Sequence, residues 1–140
     1  MKFWDSSAVV PLLVDEPASA DLLALLKADG GLLVWWGTPV ECASAIARRE
    51  REGDLDVAAS NAALARLRAL EPSWVEVSPR LKLRRLALRL LRAHALRVAD
   101  SLQLAAALVA AEQDPGALGF VCLDERLSNA AQREGFGVVP

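Results

Sequence analysis

Apolar residues follow two rhythms along this chain. Short continuous runs, at Lys2-Trp4, Leu32-Trp36, Trp74-Val77, Phe120-Leu123 and Gly137-Val139, alternate with longer stretches in which apolar positions recur at i, i+3, i+4 and i+7. The runs predict strands and the longer stretches predict helices. Runs so short and so continuously apolar suit a parallel sheet covered on both faces. Their alternation with helices predicts one α/β sandwich domain over residues 1–140. No repeat, low-complexity tract or linker interrupts it, and Gly30-Gly31 and Pro115-Gly116 read as local turns.

The first crossover holds two predicted helices, about Ser7-Val14 and Ala18-Ala28, with Pro17 before the second and Gly30 past its end. Thr38-Pro39-Val40-Glu41 opens a third, which runs to Arg51 and ends near Gly53. Further helices cover Val57-Leu70, Arg80-Ala93, Val98-Ala111 and the stretch from Asp124 to Gly135. On the Arg80-Ala93 helix, at about 100° per residue, Lys82, Arg85, Arg89 and Arg92 share one stripe. Most of its remaining circumference is Leu or Ala, so burial on most sides and a single basic ridge are expected. His94, the only histidine, falls on the apolar side with Leu83, Leu86 and Leu90 and reads as structural.

Composition narrows the class. With 54% hydrophobic residues in 140, the chain can bury a sizeable core and is not disordered. The amino-terminal stretch carries Asp5 and has no long apolar segment, so no signal peptide is expected. The longest uncharged apolar stretch, Ser101-Ala111, is too short to span a bilayer. Cys42 and Cys122 lack metal-binding spacing and read as buried thiols of a soluble, cytoplasmic protein. The net charge of −2 hides a polarity: between Glu76 and Asp100 there are seven basic residues and no acid, which leaves −9 elsewhere. An anionic partner beside an acidic site, or a solvated helix face, accounts for that distribution.

The parallel topology gathers acids. Strand ends and crossover-helix starts collect on the carboxyl edge of a parallel sheet, where ligands bind. Asp5 and Asp124 follow strand ends, while Glu41 and Asp100 lie in first helical turns. Each also fits a capping role: Thr38-x-x-Glu41 is a formal capping box, Asp5 and Asp124 suit N-caps, and Asp100 complements a helix dipole. Asp5 beside Trp4, and Asp100 after Leu96-Arg97-Val98-Ala99, are expected to be partly buried, where an unpaired carboxylate is costly. Two such charges about 4 Å apart repel by on the order of 4 kcal/mol at an effective dielectric near 20, so a cation is expected among them. Oxygen ligands without His or Cys select Mg²⁺ or Mn²⁺, ions that activate water and stabilise charge on a phosphate during displacement.

Four stretches then occur in order across essentially the whole chain. They are Phe3-Trp4-Asp5-Ser6-Ser7-Ala8, Thr38-Pro39-Val40-Glu41, Val98-Ala99-Asp100-Ser101-Leu102-Gln103-Leu104-Ala105, and Leu123-Asp124-Glu125-Arg126-Leu127 with Ala130-Ala131 and Gly135. In these the sequence resembles the PIN-domain ribonucleases, and most closely the VapC-type toxins of prokaryotic toxin–antitoxin pairs. The resemblance implies a five-stranded parallel sheet in order 3-2-1-4-5 between helix layers. It implies a Mg²⁺- or Mn²⁺-dependent endoribonuclease whose acidic set is Asp5, Glu41, Asp100 and Asp124, with the metal held chiefly by Asp5 and Asp100. It further implies an antitoxin partner and a homodimer. Ser7 matches a small hydroxyl residue that positions a water on the metal, whereas Cys122 stands where the family often has Thr or Ser.

Outside that set, Lys82, Arg85, Arg89 and Arg92 are expected to contact the RNA backbone or to pack against a partner. Trp35 and Trp36 suit core or interface packing, or stacking on a base. A partner presenting Arg or Lys would match the acidic pocket. A phosphoacceptor receiver domain would need an Asp after the third strand and a Lys near the last; here Val77-Ser78-Pro79 follows and no Lys comes after Lys82. A catalytically silent RNA-binding or scaffold module of the same fold would be marked by a missing acid, and all four are present.

Overall fold

The computed structural model describes residues Met1–Pro140. Strands β1 (Lys2–Trp4), β2 (Leu32–Trp35), β3 (Val75–Val77), β4 (Gly119–Val121) and β5 (Gly137–Val139) form one sheet in the order β3-β2-β1-β4-β5. Every pairing is parallel, with Phe3 in register with Leu33 on one side and Phe120 on the other. The first strand is therefore central, and all five strands end on one edge. Seven helices supply the crossovers: α1 (Ser6–Leu13), α2 (Ser19–Asp29), α3 (Thr38–Arg51), α4 (Val57–Leu70), α5 (Leu81–Ala93), α6 (Val98–Ala111) and α7 (Glu125–Arg133). Gly30 closes α2 at φ 79°, a left-handed conformation that costs glycine little.

Side chains alternate along β1, so Phe3 and Trp4, both fully buried, enter opposite layers. Phe3 stacks on Phe120 at 5.4 Å and joins Leu83 and Leu90 of α5, Leu104 of α6 and Leu127 of α7. Trp4 joins Val9 and Leu13 of α1, Leu22 of α2, Ile46 of α3 and Leu67 of α4. The result is a three-layer α/β/α sandwich with a core on each face of the sheet.

Two expectations need correction. Helix α5 is not buried on most sides: Leu83, Ala87 and Leu90 face the core, while Leu81, Leu88 and Leu91 are 55%, 60% and 37% exposed. It packs chiefly against α6 at the outside of its layer, so leucines on its outer arc meet solvent. Strand ends are also shorter than the apolar runs. Trp36 lies past β2, where its N–H still reaches Val77 O at 3.1 Å, and it is 55% exposed while Trp35 is buried. Cys122 and Leu123 likewise lie past β4, although Cys122 N–H donates to Val139 O at 3.0 Å.

Candidate active site

The carboxyl end of β1 is continued by Asp5, whose N–H donates to Val121 O at 3.0 Å. Its backbone is extended and its Oδ2 accepts the Ser7 N–H at 3.0 Å, so it caps α1. The side chain is only 3% exposed, and Cys122 Sγ lies 3.7 Å from the same oxygen. Burial raises its pKa; hydrogen bonds from Ser7 partly oppose the rise and the charge of Asp100 adds to it.

Glu41 sits in the first turn of α3 and is held from both sides. Ser6 Oγ donates to Oε1 and Gln103 Nε2 to Oε2, each at 3.0 Å. Burial, reinforced by the Asp5 charge, pushes its carboxyl up to about 7. Gln103 is fully buried and also donates to Thr38 Oγ1 at 3.2 Å. Glu41 thus does not form the capping box its spacing allows: the N-cap is Gly37, without a side-chain cap bond.

Asp100, in the first turn of α6, is 8% exposed, and its Oδ2 has no hydrogen-bond partner. The cation nearest to it is Arg97, whose Nε stands 3.5 Å from that oxygen. The same guanidinium reaches Asp124 Oδ2 at 3.9 Å. Asp124 caps α7 through the Arg126 N–H at 3.0 Å. Capping therefore explains one interaction each of Asp5 and Asp124 and leaves the placement of Glu41 and Asp100 unexplained.

All four acids line one cleft of about 360 Å³, together with Ser6, Ser7, Arg48 and Arg97. Ser7 Oγ accepts the Leu123 N–H at 2.9 Å and lies 3.7 Å from Cys122 Sγ, which ties the chain after β4 to the start of α1. The thiols of Cys42 and Cys122 are pushed up to about 12 by burial, so neither offers a thiolate. As the side chains stand, no group of three His, Cys, Asp or Glu is arranged to hold one ion. Magnesium commonly uses only one or two carboxylates and keeps several waters. The buried Asp100 Oδ2 has no hydrogen-bond partner and only the exposed Arg97 guanidinium near it, and the carboxylate and hydroxyl oxygens lining the cleft fit such an ion.

The basic residues of α5 stand elsewhere. Lys82, Arg85, Arg89 and Arg92 are exposed, none lines the acidic cleft, and Arg89 is taken by Glu134 at 2.8 Å. His94 Nε2 meets the same Glu134 at 2.8 Å, in keeping with a structural role. The sequence reading missed Ser6, Thr38, Gln103 and Arg97 as site residues. A signal existed for Gln103, which lies one turn beyond Asp100 on the same face of α6. Ser6 is merely adjacent to Asp5, and the spacing of Thr38 from Glu41 pointed only to a helix cap.

No family model and no curated protein matches the sequence. Among solved structures, the fold is similar to that of PAE2754 from Pyrobaculum aerophilum, with a TM-score of 0.65 and 21% identity over 98% of this chain and 81% of that one. FitAcB from Neisseria gonorrhoeae is similar at the same TM-score of 0.65, with 16% identity over 100% of this chain and 97% of the other. What these proteins share with this one is an α/β fold, here built on a parallel sheet in the order 3-2-1-4-5.

Proposed function

We propose that this chain is a PIN-type, VapC-like endoribonuclease that uses Mg²⁺ or Mn²⁺, the toxin of a toxin–antitoxin pair. One observation carries the reading. Carboxylates from four separate segments line a single cleft at the carboxyl edge of the sheet, and one buried oxygen among them, Asp100 Oδ2, has no hydrogen-bond partner and only the exposed Arg97 guanidinium 3.5 Å away. Clustered buried acids are costly unless a cation joins them.

Asp5 and Asp100 would hold the ion, with Glu41 and Asp124 supporting a second ion or the surrounding waters. Such an ion supplies Lewis acidity toward a phosphate oxygen and lowers the pKa of a coordinated water. Ser6 and Gln103 fix the Glu41 carboxylate, and Ser7 anchors the loop that carries Asp124. In hydrolysis the water oxygen attacks phosphorus, its proton passes to a carboxylate such as Glu41, and the P–O bond to the leaving oxygen breaks as that oxygen takes a proton from solvent water. An antitoxin presenting an Arg or Lys to the acids would displace the ion, and the chain would act as a cytoplasmic homodimer. Purification from the native host is expected to yield a dimer with a small bound protein; a bare monomer would count against both partner claims.

The deciding experiment combines a chelator with Asp100→Asn in an RNA cleavage assay. Cleavage should disappear in excess chelator and fall by orders of magnitude in the variant. Full activity in Asp100→Asn would overturn the proposal. The second reading is a silent RNA-binding or scaffold module of the same fold, favoured by the absence of a three-residue ligand group. RNA binding without cleavage at any Mg²⁺ or Mn²⁺ concentration would select it.

A further inference from the structure

The acidic cleft does not end at Asp124. Arg97 and Asp124 also line a second hollow of about 540 Å³, completed by the polar or charged residues Glu125, Arg126 and Asn129. Arg126 and Asn129 in turn line a third of about 220 Å³, with Arg133 on the same helix and Ala93-His94-Ala95 opposite. Each hollow shares two lining residues with the next, so the three lie in a row as one trough-like surface. It leaves the carboxylates along α7, and the connection between α5 and α6 is its other bank.

Arg126, Asn129 and Arg133 are spaced i, i+3 and i+7, so they occupy one face of α7 over a rise of roughly 10 Å. Arg126 and Arg133 are exposed and make no ion pair, unlike Arg89 on α5. A polyanion approaching four carboxylates needs cations close to the site to offset the repulsion. The cations of α5 line none of the three hollows, whereas Arg97, Arg126 and Arg133 do. Its one aromatic ring, His94, is largely buried and held by Glu134, so the trough offers no open platform for stacked bases and suits the backbone instead.

We propose that this trough binds the sugar–phosphate backbone of single-stranded RNA on one side of the scissile bond. Arg126 and Arg133 contact phosphates and Asn129 donates a hydrogen bond, while Arg97, already facing Asp100 and Asp124, offsets acidic charge at the site end. The inference rests on RNA being the ligand of this chain, as proposed above. It moves the RNA contacts from the α5 stripe to α7, and it gives binding little preference for base identity.

The test is binding of a fluorescent single-stranded RNA in EDTA over a series of salt concentrations, paired with cleavage kinetics in Mg²⁺. Three proteins are compared: the wild type, Arg126→Gln/Arg133→Gln, and Lys82→Gln/Arg92→Gln. The α7 pair is expected to weaken binding at least about fivefold. It should also reduce the slope of log K against log salt by about 1.4, from roughly 0.7 per lost phosphate contact on a single strand. The α5 pair should change neither, and thermal midpoints should agree because the replaced side chains are exposed. Unchanged affinity and slope in the α7 pair, or a loss carried by the α5 pair, would overturn the inference. Binding that depends on the trough without cleavage in Mg²⁺ would support it while refuting the nuclease. Cleavage by the α7 pair at wild-type KM would refute the trough alone, and neither binding nor cleavage by the wild type would refute both.

Discussion

Two glutamates show how neighbours decide what a carboxylate does. Glu41 is pushed up to about 7 by burial and by Asp5, whereas Glu134 is drawn below its ordinary value by its hydrogen bond from Arg89. Between about 4.5 and 7 the folded, metal-free chain keeps a proton on Glu41 that the unfolded chain releases. Stability from this group must therefore fall as pH rises through that window, by up to roughly 3 kcal/mol. Glu41→Gln should flatten this slope and raise the alkaline melting midpoint in chelator, while cleavage is lost. An unchanged pH slope in the variant would show that Glu41 is not the group responsible. Glu134 has the opposite sign: its contribution is complete above about 4.5 and is lost as pH falls further. The four acids were legible in the sequence because strand ends and helix starts fix their edge. Ser6 and Thr38 were not, and Gln103 only through its spacing from Asp100, because a polar side chain declares its partner only once positions 35 to 65 residues apart meet.

At the level of elements, local signals sufficed where one helix face was plainly apolar. Helices α3, α4 and α6 occupy the ranges that their spacing and the Pro39 start predict. Helix α5 defeated that logic because leucine occupies both its arcs, and composition does not say which arc a layer covers. Its carboxyl end is fixed instead by polar contacts, Arg89 and His94 both meeting Glu134 at the end of α7. Hydrogen bonds to a charged group contribute about 1.5–3 kcal/mol when sheltered and less when one partner is exposed, and Arg89 is 51% exposed. Glu134→Ala is expected to cost about 1–2 kcal/mol, with faster amide exchange confined to the last turn of α5 and the start of the following connection. Cleavage per folded molecule should not change, since Glu134 lines neither the acidic cleft nor the polar hollow beside it. A loss of activity without a loss of stability would mean that this contact reaches the site.

The whole molecule is two cores divided by a sheet, and the candidate site joins them. Asp5 begins α1, whose Ala8, Val9 and Leu13 fill one core, and Asp100 belongs to α6, whose Leu104 and Ala105 fill the other. An ion shared by these two acids would link both layers at the end of the central strand, so its binding should register in global unfolding. Ligand at a hundredfold excess over its Kd stabilises the state that binds it by about 2.7 kcal/mol. At about 3 °C per kcal/mol for a chain of this size, saturating Mg²⁺ should raise the melting midpoint by roughly 8 °C over chelator. Asp5→Asn isolates the cause, because Asn caps a helix about as well as Asp and so spares the start of α1. In that variant, and in Asp100→Asn, the metal-free midpoint should hold or rise as repulsion between the acids is relieved, while the Mg²⁺ increment vanishes. If both variants instead melt far below the wild type in chelator and keep their increment, the acids are structural and the ion binds elsewhere.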